Sequence, residues 1–284
     1  MNDEELSNFL DGNFSYYKNF PSSQAETFEN VMSIALELPS IFNLRQEDID
    51  EEYFYRILGV HYSIIGIYDA IFELSVCGHS SVTYSLLRMQ MENFLILIYL
   101  TEDKNNLAQV NARIEEYEDW IKIKMFQNNK RSKNFDLYRQ FASSEKYTQT
   151  VKNNYLLTKE KYSLNINDFK ALEKRPSFLK DKRKIAQLVS LEEVYDHIVA
   201  DGSATIHCAD LYDKIDSTLE EDTVEYSFNI RPTHYSPWVL LLSNFLIQKQ
   251  LLYLADFFHL SEKKKNELKN TLFRDTSEHG NYPC

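Results

Sequence analysis

The chain has 284 residues, 43% hydrophobic by count, and a formal net charge of −12, long enough for one large core or two modest ones. Six Gly and six Pro leave few helix breakers and little room for a Gly-rich phosphate loop of either common type. The three cysteines, Cys77, Cys208 and Cys284, form no CxxC pair and no even framework, which excludes a disulfide scaffold and fits a reducing compartment.

The N-terminus, Met1-Asn-Asp-Glu-Glu5, has neither the basic stretch nor the apolar stretch of a signal peptide, so residues 1–21 read as an N-terminal arm of a cytoplasmic protein. Ser23-Gln-Ala-Glu26 is a capping-box pattern that predicts a helix through Leu38, ended by Pro39. Over 46–76, Phe54, Ile57, Leu58, His61, Ile64, Ile65, Tyr68, Ile71, Phe72 and Ser75 recur at intervals of three and four, the mark of one amphipathic helix. Gly78-His79-Ser80 ends it. The helix predicted next, 81–101, is apolar nearly all round in its second half, as the central member of a bundle is expected to be.

A helix over 105–126, a Lys- and Asn-rich turn over 127–134 and a further helix to about 162 follow, with short helices and loops over 163–190. Ser190-Leu-Glu-Glu193 repeats the capping-box pattern before a helix to Ala200. Asp201-Gly202 then predicts a turn, and Ser203 a cap for a short helix to Asp213. The stretch 216–233 is acidic and then β-prone. Pro237 stands where the first helical position of a last long helix is expected, running to about His259 ahead of a Lys-rich helix from Ser261. The apolar runs 94–100 and 238–258 are read as buried helices, the first because it is short and the second because Gln248-Lys249-Gln250 interrupts it, so no membrane partner is expected.

The fold class is therefore all-α: one multi-helix bundle over 22–284 around a buried central helix at about 81–101, with at most a short extended segment near 223–231. Charge marks out an insertion. Residues 1–52 carry 12 acidic and 2 basic side chains and 185–231 carry 11 and 2, whereas 122–184 carry 17 basic and 6 acidic, interleaved with aromatics from Phe126 to Phe169. A basic aromatic segment can neutralise phosphates and stack bases, which makes 122–184, with Lys130, Arg131 and Lys133, the expected contact for RNA. Neutralisation by the acidic segments is the competing expectation.

Ser81, Ser85, Arg88 and Glu92 make one polar stripe on the most apolar helix, placing an Arg and a carboxylate where each needs a partner. That stripe is either a structural ion pair or a site in which Arg88 holds an anion and Glu92 orients it or acts as a base. Further along, Ser203, His207 and Asp210 follow at helical spacing, with His207 the candidate acid or base. No metal-ligand spacing occurs, and no cofactor is expected.

The run 86–100 (Leu-Leu-Arg88-Met-Gln-Met-Glu92 and the apolar stretch after it), together with Val194-Tyr195-Asp-His-Ile-Val-Ala-Asp-Gly-Ser203-Ala-Thr-Ile-His207, resembles a family of bacterial helical proteins of unknown function. Over about 60–255, the resemblance implies a bundle that gathers Arg88, Glu92, Tyr195, Ser203 and His207, with Tyr195 and Ser203 expected as binding residues. Arg274-Asp-Thr-Ser-Glu-His279, and Arg56 to His61 without the polar second residue, are similar to the Arg–His signature of the HEPN ribonucleases of toxin and antiviral systems. That likeness implies metal-independent cleavage at an RNA 2′-OH, usually across a homodimer, with Arg274 and His279 as alternative catalytic residues. A non-enzymatic sensor or adaptor for a partner protein or small anion is the rival expectation.

Overall fold

A computed structural model describes residues 22–41, 51–76, 80–103, 105–132, 145–206, 215–220, 223–228 and 237–272. The chain divides into two compact units, one formed by 1–101 with 182–284 and the other by 102–181.

The first unit is the larger. Helix α1 (Ser22–Ile41) carries Pro39 in its last turn instead of stopping before it. Proline has no N–H to offer the carbonyl four residues back, that of Ala35. That carbonyl is instead met by His61 Nε2 at 3.0 Å, from helix α2 (Glu51–Val76). The carbonyl can only accept, so Nε2 carries the proton, and Nδ1 accepts from Gln250 Nε2 at 2.7 Å. His61 is thus a buried neutral imidazole joining three helices, and burial holds its pKa below the usual histidine range, against the pull of the Ala35 carbonyl. The predicted face of α2 is the buried one, from Ile57 to Ser75, with Phe54 and Phe72 at its half-buried margins.

Helix α3 (Ser80–Thr101) buries Leu87, Met91, Phe94, Leu95, Leu97, Ile98 and Leu100, each worth about 1.5–3 kcal/mol when fully removed from water. After the second unit come α7 (Lys182–Gln187) and α8 (Glu192–Ile206), whose numbers follow α4 to α6 described below. Next is an antiparallel hairpin, β1 (Ile215–Glu220) and β2 (Thr223–Phe228), in register from Ile215 opposite Phe228 to Glu220 opposite Thr223. Helices α9 (Pro237–Phe257) and α10 (Glu262–Leu272) complete it. The central helix α3 packs against α2, α9, α8 and α7.

Local chemistry explains two departures from expectation. Ser190 does not open α8; with φ at 55° it closes α7 in a left-handed cap, where Leu191 N donates to the Ala186 carbonyl at 2.9 Å and Ser190 N to that of Gln187 at 3.1 Å. His259 ends α9 the same way. Helix α8 then runs through Asp201-Gly202 to Ile206, so the expected turn is absent: a glycine weakens a helix interior by about 1 kcal/mol without breaking it.

Both α2 and α9 contain stretches long and apolar enough to cross a membrane, Tyr53–Val76 and Trp238–Phe257, a test that core helices also pass. The second is mostly buried, and its polar groups are spent inside the unit. Gln90 and Ser243 exchange two hydrogen bonds between α3 and α9, the hydroxyl donating at 2.7 Å and the amide donating to the Ser243 carbonyl at 3.1 Å. Tyr68 donates to Asn244, and Gln248 to the Leu272 carbonyl at 2.9 Å.

The second unit is formed by α4 (Leu107–Ser132), α5 (Glu145–Lys161) and α6 (Ile166–Lys174). Helix α4 continues past Phe126, so the Lys- and Asn-rich stretch expected as a turn is helical as far as Ser132 and carries Lys130 and Arg131 in the last turn, where cations suit the helix dipole. The core is Ile123, Phe169 and Leu172 with Trp120, Tyr155 and Tyr162 packed on it.

Candidate functional site

The expected polar stripe lies at the edge of the first unit's core. Arg88 and Glu92 stand one turn apart on α3, so their side chains meet along the helix, Nε donating to Oε1 at 3.1 Å. The fully buried polar residues of this helix are Thr83, Gln90 and Thr101, of which Gln90 is satisfied by Ser243. The stripe is rotated from Gln90 toward α7 and α8.

From α7, Lys182 Nζ reaches the other carboxylate oxygen, Oε2, at 2.9 Å. Arg88, Glu92 and Lys182 are 26%, 29% and 23% exposed, deep enough to limit solvent screening and shallow enough for a solute to reach. Tyr195, on α8, lies within range of both charges. Burial raises the pKa of its hydroxyl, the charge of Glu92 raises it further and Arg88 opposes, so the group is a protonated donor at neutral pH. Next to it, Asp196 is held by Arg183 Nε at 3.1 and 2.9 Å on its two oxygens.

Of the residues expected to gather, Arg88, Glu92 and Tyr195 share this region. Ser203 lies in the last turns of α8, its side chain outside the description; His207, Arg274, His279 and Lys133 fall outside the described residues. The other Arg–His pair, Arg56 and His61, is split between an exposed position and a fully buried one, with both ring nitrogens of His61 engaged. Lys182 did not stand out in the sequence, where it is one cation among the 17 of the basic segment. Only the packing of α7 on α3 singles it out.

Several of the described aromatics and cations of the second unit are engaged within it. Phe126 stacks on Tyr155 at 4.1 Å between ring centres, and Phe169 meets both Tyr155 and Tyr162 edgewise or tilted, so these rings pack on the unit's own core, whereas Tyr147 is exposed. Asp119, buried on α4, receives Lys161 at 2.6 Å and Lys122 at 3.4 Å, while Lys161 also reaches Glu115 at 2.7 Å. Burial, and then the Asp119 charge, push the Tyr162 hydroxyl up to about 12. Burial pulls Lys161 down, but its hydrogen bonds to Asp119 and Glu115 prevail and leave it above the ordinary lysine range. Arg175 pairs with Glu116 at 3.2 Å, and Lys124 donates to the Glu173 carbonyl at 3.2 Å. Lys130 and Arg131 are exposed.

Among the described residues no three His, Cys, Asp or Glu side chains gather as a metal site requires. The Arg88 cluster, two cations and a hydroxyl about one carboxylate, is suited to holding a phosphate or carboxylate and to moving a proton at Glu92.

No curated protein and no solved structure matches the chain. One family model does, over residues 54–223, a span that includes Arg88, Glu92, Lys182 and Tyr195. The chain belongs to that family, described as a family of unknown function (DUF5677).

Proposed function

We propose that the protein is a cytoplasmic RNA-acting effector, linked to bacterial defence or stress, whose working site is the half-exposed cluster around Arg88 and Glu92. One observation carries the reading: on the apolar central helix, a carboxylate and two cations meet where solvent reaches them, a costly arrangement for a core and a useful one for phosphate chemistry. In this reading Arg88 and Lys182 hold a phosphate, Tyr195 donates a hydrogen bond, and Glu92 with His207 handles the proton of the attacking 2′-OH. Lys130, Arg131 and Lys133 of the second unit add phosphate contacts, and a homodimer is the expected assembly. The direct test is RNA incubated with purified full-length protein in EDTA. Cleavage that disappears in Glu92→Gln or His207→Ala supports the reading, with His279→Ala testing the alternative Arg274–His279 pair. Intact RNA at high protein concentration refutes it.

A second reading has its own observation. Both oxygens of Glu92 are already engaged, as in an ion pair that fastens α7 to α3, which suits a non-enzymatic sensor or adaptor for a small anion or partner protein. Unfolding by Arg88→Ala would favour this architectural role. A folded variant with no RNA activity would favour the enzyme.

A further inference from the structure

We infer that Trp238 is a stacking platform for one unpaired nucleobase, set at the level of the Arg88 cluster in the first unit. The inference rests on the reading of the protein as RNA-acting and says which side chain takes a base. Trp238 is the second residue of α9 and stays 48% exposed. Its Nε1–H donates to Nε2 of His197, on α8, at 3.1 Å. An indole N–H lies in the ring plane, so the histidine sits at the indole's edge. The two rings are accordingly almost perpendicular, at 83° with their centres 6.0 Å apart.

This bond does two things. It ties the indole of α9 to α8, so little rotamer freedom is left to lose when a ligand arrives. It also takes the single polar atom of the side chain. What the ring then offers is π-surface, with no donor or acceptor to read a particular base edge, which suits a base of any sequence lying flat on it. A base inside a duplex already has both faces covered, so the platform takes single strands.

The topology sets where the platform stands. Helices α3 and α9 run in the same direction, because Gln90 meets Ser243 while Ile98 and Thr101 meet Tyr253. The same pairing puts Trp238 level with Ser85, about one helical turn before Arg88. On α8, His197 follows Tyr195 by two residues, about 3 Å along the axis, and Tyr195 is within range of the charges of Arg88 and Glu92. A strand whose phosphate is held at the cluster therefore finds an aromatic surface at the same level of the bundle.

The test adds single-stranded oligoribonucleotides to the full-length protein and follows binding and the emission of its two tryptophans. An abasic oligonucleotide of equal length and charge is the control. Base-bearing RNA is expected to quench part of the emission and to bind about tenfold more tightly than the abasic strand, and Trp238→Ala is expected to lose both differences. Trp238→Phe keeps a ring and should retain part of the preference without the quench. A Trp238→Ala protein with unchanged helical circular dichroism and an undiminished base preference overturns the platform, as do equal losses toward both strands, the mark of a structural residue. Should that variant fail to fold, the wild type decides: a base preference with quenching supports the platform, and the absence of either overturns it. A nucleoside monophosphate, compared with ribose 5-phosphate, separates a free nucleotide from an RNA base as the source. Base-dependent quenching by the monophosphate without any RNA binding or cleavage would refute the RNA reading alone. RNA cleavage without a base preference in binding would refute the platform alone.

Discussion

Asp119 in the second unit and Glu92 in the first are both carboxylates gripped by cations from a neighbouring helix, but they lie at different depths. The Asp119 side chain is 3% exposed and Glu92 29%. Asp119 is held by Lys161 and Lys122, with Tyr162 hydrogen-bonded to it, on helices that share one small core. The carboxylate is buried, whereas its cations Lys161 and Lys122 are 41% and 39% exposed. Glu92 meets its cations at similar distances, 3.1 and 2.9 Å against 2.6 and 3.4 Å. The bonds look alike, but only the Glu92 carboxylate is open to solvent, whereas a carboxylate at the depth of Asp119 depends on its partners to offset lost hydration.

The comparison is broken most forcefully at Asp119. Asp119→Ala removes a buried acceptor from Lys161, Lys122 and Tyr162, although the two lysines can turn to water and Lys161 keeps Glu115, and is expected to destabilise the second unit by about 1.5–3 kcal/mol. Trp120 lies in that unit, and the only other tryptophan, Trp238, is in the first. Urea unfolding followed by fluorescence in a Trp238→Phe background therefore reads the loss, and an unmoved Trp120 transition would show the network to be superficial.

His61 gives the next largest effect, and it depends on pH. Its folded pKa lies below the unfolded value near 6.5, so the unfolded chain binds the extra proton first as pH falls. Stability is full above about 6.5 and declines below it by at most about 1.4 kcal/mol per pH unit, until the folded pKa is reached. Urea midpoints measured between pH 7.5 and 5 should show this slope, and His61→Gln should remove this residue's share. A slope unchanged by the substitution would mean that other groups carry it.

At Glu92 the stability change should be small. Glu92→Gln keeps an acceptor and loses a partly exposed ion pair, so a shift within about 1 kcal/mol is expected, alongside loss of RNA activity. A loss comparable with that at Asp119 would move Glu92 into the architectural class. The smallest stability effect belongs to Lys130 and Arg131. Reversing both exposed charges should change stability by about 0.5 kcal/mol or less while lowering the salt dependence of RNA affinity by about two counterions. An unaltered salt slope would remove these residues from the RNA contact.

The long helices were legible because their apolar periodicity is a local record of burial: the predicted face of α2 reappears from Ile57 to Ser75, and Pro237 stands where α9 begins. Local signals with two solutions were not. Ser-x-x-Glu at Ser190 fits a cap for the helix ahead, yet the same serine in a left-handed conformation closes the helix behind, and the carbonyls of Ala186 and Gln187 decide between them. Charge counts depend on the window for a related reason. Over 122–184 the net charge is +11, but the unit that folds together is 102–181, with 16 basic and 12 acidic residues and a net of +4. The acids that pair with Lys161 and Arg175, on the first half of α4, lie just outside the window that looked basic.

Composition and periodicity by themselves determined that the chain is helical, where its long helices lie, and that Arg88 and Glu92 share a face of the most apolar of them. Those properties depend on residues three or four apart, which the helix itself brings together. Only the tertiary structure decided that Lys182 closes on Glu92, that His61 supplies the donor Pro39 withholds, and that Tyr155, Tyr162 and Phe169 of the basic segment pack into one core. Each of these joins residues more than twenty positions apart or settles which face of a helix is covered, and the energy that fixes them comes from packing between helices.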